Sequence, residues 1–458
     1  MSSRQRAHIL LIAGFVCAIV AASQAQQYSM KALGVGMWYD VATPHINNSG
    51  QVVGNRSNGV GFLYTGSSLI SLPAGFRPLE INNNGLIALY SLTASDNFLS
   101  APPYTSQVDV GTLFGCGFVG SNIISGLNDS GVAVGIANDP TTCPQPYIFS
   151  NGQITALGGT TPDARWLAIN NSNQIVGYWQ DMTTSPFSIR AVQLINGTLT
   201  DLDPSNVAAY DSEAQAINNA GEFVVNTNEA FCTKRLGPPS FKTITVACRG
   251  ANWYPVVHSG STVTTLPALG PYGGTAAAID YWGDVVGTSQ TSTGAYHGFI
   301  NLYGATFDLN AHPIMNGAGW TIQSAFDIND NGQIVALGYD AHGNQDVVVL
   351  TPQIVKQPPP LSIKLGSSSV QPAAVGSNAS IGTVTLASAA PFPGTIVYLS
   401  SSNPLVKVPP MIRVAPKSTS ATFKVTSTAS GPVDVTVFAT TGVTTKTATL
   451  TITDATAN

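Results

Sequence analysis

Three groups of residues in this chain have the types and spacing of chemical sites. Asp201/Asp203 and Asp211/Glu213 are carboxylate pairs two residues apart. On a strand, residues i and i+2 share a face, so each pair could divide acid and base roles across a glycosidic bond. Asp327-Ile328-Asn329-Asp330-Asn331-Gly332 matches the opening of a calcium loop, with oxygen ligands at Asp327, Asn329 and Asn331. The twelfth position counted from Asp327 is Gly338, where such a loop closes with a bidentate acid. Turn chemistry explains the pattern without an ion, and calcium is the one cofactor the sequence brings into question. Lys234, Arg235, Lys242 and Arg249 gather positive charge in an otherwise acidic region. They suit contact with an anionic group through Arg forks and Lys point charges. No Gly-x-Ser-x-Gly elbow and no His-Glu-x-x-His occurs, and the histidines are scattered singly, so no catalytic residue is assigned.

The positioning of these groups depends on the compartment and the fold. Arg4 and Arg6 precede an apolar stretch from Ala7 to Ala22 and a small-x-small site, Ser23-Gln24-Ala25, so residues 1–25 read as a signal peptide. The apolar stretch is shorter than the ~20 residues of a spanning helix, and the mature chain is expected outside the cytoplasm with no membrane span. Beyond the signal, Cys116, Cys143, Cys232 and Cys248 form an even set, which fits two disulfides with three possible connectivities. The pairing local in sequence is Cys116–Cys143 and Cys232–Cys248. Charged residues are only 9% of the 458 and the net charge is −5. The low charge disfavours a disordered chain, and the lack of a basic surplus disfavours a nucleic-acid binder.

A repeat occupies most of the chain. Ile46-Asn47-Asn48-Ser49-Gly50-Gln51-Val52-Val53-Gly54 recurs with variation from 81, 127, 169, 217, 279 and 328, a mean spacing of 47 residues. That period falls in the range of propeller blades. Asn-Asn-x-Gly between apolar residues is hairpin chemistry. An aromatic-aliphatic strand such as Gly61-Phe62-Leu63-Tyr64 follows, then a Thr-x-Leu strand such as Leu199-Thr200-Asp201-Leu202, making each repeat a four-stranded antiparallel meander. The array opens with a lone fourth strand at Met30–Leu33 and ends on a third strand at Val347–Leu350, so the first can complete the last unit. This offset hides strand edges in a closed seven-bladed β-propeller and gains nothing in a β-solenoid, the alternative architecture. The widest interval, 217 to 279, reads as a looped excursion carrying Cys232, Cys248 and the four basic residues.

The repeat, together with His297-Gly298-Phe299 ahead of its strand, resembles the bacterial HAF-type extracellular repeat over about residues 26–351. That resemblance implies export and a β-rich repeat domain, and it brings no catalytic residues. Pro358-Pro359-Pro360 closes a linker at 352–360. Residues 361–458 alternate as short Val/Thr/Ser/Ala strands, expected to form an Ig-like β-sandwich similar to the spacers of bacterial surface proteins. Charge divides unevenly: residues 26–350 hold nine Lys/Arg against 21 Asp/Glu, a net −12, and 361–458 hold six against two, a net +4. The functional expectation is an all-β, non-enzymatic interaction protein that is secreted or on the cell surface and binds a glycan, peptide or envelope component. The alternatives are a polysaccharide-active hydrolase or lyase with carboxylates at the propeller centre, and a structural surface-layer component.

Overall fold

A computed structural model describes residues 28–37, 43–111, 122–137, 145–157, 164–181, 188–202, 210–235, 243–311, 319–352, 360–365, 369–370, 379–390, 394–415, 417–428, 433–441 and 444–452. All regular structure among them is β, and none of it is a helix long and apolar enough to cross a membrane. The signal peptide, Cys116, Cys143 and Lys242 lie outside the described residues.

The chain divides into two compact units, and the larger spans Tyr28–Pro352. Its described residues form seven four-stranded antiparallel sheets, each holding one copy of the repeated motif between its first and second strands. In sheets one to six the four strands follow one another along the chain. Sheet seven takes Thr321–Ile328, Ile334–Tyr339 and Gln345–Pro352 in sequence, and its fourth strand is Tyr28–Ala32, with Met30 opposite Leu350. The carboxylate of Asp346 then accepts the backbone N–H groups of Gly34, Val35 and Gly36 at 2.6, 2.9 and 3.1 Å. Separate apolar clusters fill the spaces between consecutive sheets from one to six, and a further cluster packs Val52 and Phe62 of sheet one against Val335, Leu337 and Val347 of sheet seven.

The motif explains this order. Its first polar residue is buried in every copy: Asn47, Asn82, Asn128, Asn170, Asn218, Asp280 and Asn329. In each, Oδ1 accepts the N–H groups two and four residues ahead and so closes its own turn, as Asn47 does from Ser49 and Gln51. The amide Nδ2 donates to the corresponding backbone carbonyl of the next sheet, from Asn47 to Asn82, Asn82 to Asn128, Asn128 to Asn170, Asn170 to Asn218 and Asn218 to Asp280. Asn329 donates at 2.8 Å to the carbonyl of Asn47, which returns the cycle to sheet one. A carboxylate has no amide hydrogen to give, and at Asp280 the crossing is made instead by the Trp282 indole N–H to the Asp330 carbonyl, 2.9 Å, and by the Tyr281 N–H to the Asp330 carboxylate.

The recurring Gly of Val-Val-Gly has a different cause. A Cβ on Gly135, Gly177 or Gly287 would sit 2.0 to 2.1 Å from a backbone carbonyl oxygen of the first strand, Ile123, Arg165 and Thr275 respectively. These contacts lie where the first strands bulge. The register shifts between Pro78/Glu80, Ile124/Gly126, Trp166/Ala168, Ala214/Ala216, Ala276/Ala278 and Ala325/Asp327, two residues before the motif's aliphatic residue each time.

In the other unit, the described strands from Pro360–Leu365 to Thr444–Ile452 form one four-stranded and one five-stranded sheet around a core that includes Val384, Val397, Phe423, Val435 and Leu450. Pro352 ends a strand of the first unit and Pro360 begins one of the second, so each end of the sequence-derived linker is one residue inside a strand.

Candidate functional site

A β-bulge adds a residue to one strand and re-aims the side chains beside it. Here the extra residues two positions before the motif's aliphatic residue, Leu79, Ser125, Leu167, Gln215, Ala277 and Phe326, all line a cavity of about 700 Å3 bounded by the first strands of all seven sheets. A further irregularity of sheet seven, between Ile322 and Ser324, lies away from it. The next position, just before the motif's aliphatic residue, lines the same cavity in every sheet. It is occupied by His45, Glu80, Gly126, Ala168, Ala216, Ala278 and Asp327. Four small residues keep the space open, and the three large polar ones stand side by side, because the hydrogen-bond cycle brings sheet seven next to sheet one.

These three side chains form one cluster. His45 Nδ1 lies 3.4 Å from Glu80 Oε2 and 3.4 Å from Asp327 Oδ2. Each is deep inside the unit, yet about a fifth of each side chain remains exposed, at 23%, 19% and 18%. Asp327 is held firmly, since Oδ2 accepts the Ile46 N–H at 2.9 Å and Oδ1 the Ile328 N–H at 2.8 Å. Burial works to lower the His45 pKa, but the charge of Glu80 and the hydrogen bond and charge of Asp327 outweigh it and raise the value to about 9. At neutral pH His45 is an imidazolium. Burial pushes Glu80 up, the Asp327 charge adds to that, and His45 opposes it, leaving Glu80 at about 7. On the sheet-five wall Glu213 is raised by burial and by the charge of Asp211. Among the described residues no group of three or more His, Cys, Asp or Glu has the geometry to hold a metal ion.

The aliphatic residues that open the seven motif copies form the next layer along the axis. Beyond them a second, polar cavity of about 150 Å3 is lined by the Asn-Asn turns, and the two cavities share only Leu127, Ile169, Ile217 and Ile279.

The residues singled out from the sequence are not gathered in one place. Asp327 belongs to the channel cluster, but Asn329 spends its amide on Asn47 and Gln333, and Asn331 donates to the Asn48 carbonyl. The carboxylate pairs separate as well. Asp201 is ion-paired to Arg190 at 2.6 Å, Asp203 lies outside the described residues, Asp211 accepts the Ile189 N–H and the Asn228 amide, and Glu213 alone lines the channel. His297 occupies in sheet six the ladder position of Arg190 in sheet four, and its Nδ1 lies 2.7 Å from Asp308, so this pair joins the third and fourth strands.

The interval from 217 to 279 is not the looped excursion that its length suggests. The strands Phe223–Arg235 and Thr243–Ser259 continue past the sheet as a two-stranded ribbon, because the β-branched run Thr243-Ile244-Thr245-Val246 extends the ladder. In that register Lys234 and Arg235 lie near the tip opposite Ile244 and Thr243, and Arg249 lies opposite Glu229. Cys232 is paired with Val246 and Cys248 with Ala230, an offset of two rungs. The sequence reading missed His45 and Glu80 as site residues. Their signal was the alignment of the seven copies, which shows a run of Asp, His and Glu once copy seven is placed before copy one.

No protein-family model and no curated protein sequence matches the chain. Among solved structures it is similar to a puromycin-hydrolyzing peptidase of Mycobacterium tuberculosis, with 10% identity, a TM-score of 0.44 and coverage of 77% of this chain and 61% of that one. The acylaminoacyl peptidase of Pyrococcus horikoshii gives 10%, 0.41, 76% and 50%, and the WD40 domain of SCAP from fission yeast gives 7%, 0.25, 93% and 94%. The chain spans less than two thirds of either peptidase. At TM-scores below 0.5 none of these likenesses bears on what this chain does.

Proposed function

We propose that the chain is an exported binding protein whose first unit is a seven-bladed β-propeller of the HAF-type repeat, whose second unit is an Ig-like spacer, and which takes its ligand in the central channel. The signal pattern at 1–25 is the basis for export. The closing strand Tyr28–Ala32 and the Asn47-to-Asn329 cycle favour the propeller over a solenoid, because an open array has no use for either. One observation carries the binding role: seven equivalent wall positions hold four small residues and one contiguous His-Glu-Asp cluster. A packed core would fill that space. A cavity of this size with a few convergent polar groups and shifted pKa values is the general form of a ligand site.

A hydrolytic reading is favoured by Glu80, since an acid raised to about 7 beside an imidazolium suits proton transfer. One experiment separates the two. The mature protein is incubated with peptide and polysaccharide panels, and both bound material and new chain ends are measured. Bound, uncleaved ligand supports the binding role, and new ends abolished by Glu80→Gln support hydrolysis. Ala277→Phe, which fills the channel from the sheet-six wall, should remove either activity. Retention of both in that variant would show that the channel is not the site.

A further inference from the structure

We propose that the channel captures the amino terminus of a peptide chain, with Glu80 and Asp327 facing the ammonium group and the apolar residues of the wall receiving the first side chains. This rests on the reading of the channel as the ligand site. The sign of the charge comes first. The titratable residues lining the cavity are His45, Glu80, Glu213 and Asp327, and no Lys or Arg is among the described residues that line it. The positive charge of His45 faces two carboxylates through a single nitrogen, Nδ1, and Glu213 adds a third carboxylate from sheet five. Carboxylates buried without a matching cation are costly, and a ligand that brings a positive charge relieves them.

The rest of the wall is mixed: Leu79, Ile123, Leu167, Ile217 and Phe326 are apolar, and Thr43, Ser125, Gln215, Asn226 and Thr275 are polar, with Ser125 bonded to the Trp166 carbonyl and Asn226 to the Ala276 backbone. Its large apolar side chains can receive those of a peptide, and its polar groups can meet backbone amides. Geometry then selects an end over a middle. The His45 cluster lies directly against the ring of motif aliphatics, six of which are buried, and beyond these the turns are tied to one another by the asparagine cycle. Glu213 stands three residues further from that ring along its strand. A chain that reaches the cluster must therefore enter tip first from the side opposite the asparagine turns. A tip carrying a positive charge in front of small apolar residues is a peptide amino terminus.

The test uses a random pentapeptide library with amidated carboxyl ends and the same library after amino-terminal acetylation. Each is equilibrated with the full mature chain and with Glu80→Gln, Glu213→Gln and Ala277→Phe, and retained peptides are quantified by mass spectrometry. The two Gln variants keep the volume of the carboxyls and leave the Asp327 backbone contacts in place. Peptides with a free amine should be retained by the wild type, acetylation should lower retention roughly tenfold or more, and Glu80→Gln should lower it by a similar factor. Ala277→Phe should abolish it. Equal retention of acetylated and free peptides overturns the assignment to the amino terminus, while loss in Ala277→Phe would still leave the channel as the site. Retention of neutral oligosaccharides but no peptide, again lost in Ala277→Phe, overturns this inference and spares the binding role. Retention that survives Ala277→Phe, or none of either class, overturns both.

Discussion

His45 links the channel cluster to stability, and that link can be measured without knowing the ligand. Its pKa is about 9 in the folded chain against 6.5 when unfolded, so between those values the native state holds a proton that the unfolded state releases. Stability then falls as pH rises: the contribution is fully present below pH 6.5 and is lost as pH passes through about 9. At about 1.4 kcal/mol per pH unit, the rise from 6.5 to about 9 amounts to at most about 3–4 kcal/mol. Solvent in the channel, which reaches 23% of the His45 side chain, reduces that figure. Glu80, raised from 4.5 to about 7, acts with the same sign in the lower window, its contribution being complete below pH 4.5 and lost by about 7. His45→Gln removes the titration between 6.5 and 9 and takes from Glu80 the cation that holds it down, so Glu80 should move higher still. Urea unfolding followed by tryptophan fluorescence at pH 6, 7, 8 and 9, for wild type and variant in parallel, sets the His45 titration of the wild type against the shifted Glu80 titration of the variant, and NMR of the imidazole in the wild type reads the His45 titration alone. The two stabilities should converge with rising pH by less than the full His45 contribution, because the variant loses stability of its own as Glu80 titrates. An imidazole that titrates at its ordinary value would refute the assignment of His45 as an imidazolium held by both carboxylates.

Four further outcomes test the scaffold and the ribbon. Asp346→Ala leaves the N–H groups of Gly34, Val35 and Gly36 without their acceptor, which should cost about 3–5 kcal/mol and appear first as lost hydrogen-exchange protection over Met30–Gly36. Asn128→Asp keeps the Oδ1 that closes its own turn but removes the amide donated to the Asn170 carbonyl and to Asn173, so a loss of about 1–3 kcal/mol in urea unfolding is expected with the ligand site intact. Gly177→Ala puts a Cβ 2.0 Å from the Arg165 carbonyl oxygen and should destabilise the chain by about 2–3 kcal/mol, whereas Gly152→Ala, in open space at positive φ, should cost about 1 kcal/mol by the same assay. Replacing Lys234, Arg235 and Arg249 by Ser should reduce retention on an anionic polymer at low salt while peptide capture in the channel is unchanged, a pair of column and equilibrium measurements that separates ribbon from channel.

Local signals made much of the architecture legible, and closure concealed the site. Turns and alternation are short-range, so seven Asn-Asn-type turns at a mean spacing of 47 residues already implied seven meanders, and Met30–Leu33 stood out as a fourth strand without its unit. The strand expected at Ser380–Leu386 in the second unit is found at Ala379–Leu386 for the same reason. The first strands were harder to read. Ile123–Ser125 and Ala276–Ala278 carry no clean alternation, because a bulge interrupts the period of two just where the side chains turn toward the channel. His45 and Asp327 are separated by 282 positions and acquire meaning only when sheet seven meets sheet one. Asn329 and Asn331 resembled calcium ligands because oxygen-bearing residues at alternate positions suit an ion and an Asx turn alike. The deciding fact is the position of the carbonyls of the neighbouring sheet, which no local pattern contains.

The location of the cluster gives its members unequal freedom. Copies built on closely similar turns present similar positions to the cavity, and direction enters it only where the copies differ. Here they differ at the junction of sheets seven, one and two, where Asp327 also fastens the Ile46 backbone and so belongs to the closure as much as to the cavity. A ligand that drew on Asp327 alone would compete with that bond and loosen the junction. Glu80 has no such duty across the junction. Its interactions are with His45, the Asp327 charge and the adjacent backbone of Ile81. A cationic group entering the channel can therefore take up the Glu80 carboxylate in its ionised form while Asp327 keeps sheet one in place. On this division of labour, binding should drive the release of a proton from Glu80 at pH 6 to 7, and a calorimetric enthalpy that varies with the ionisation heat of the buffer is its expected signature. A proton release that persists in Glu80→Gln would assign the titrating group to another residue.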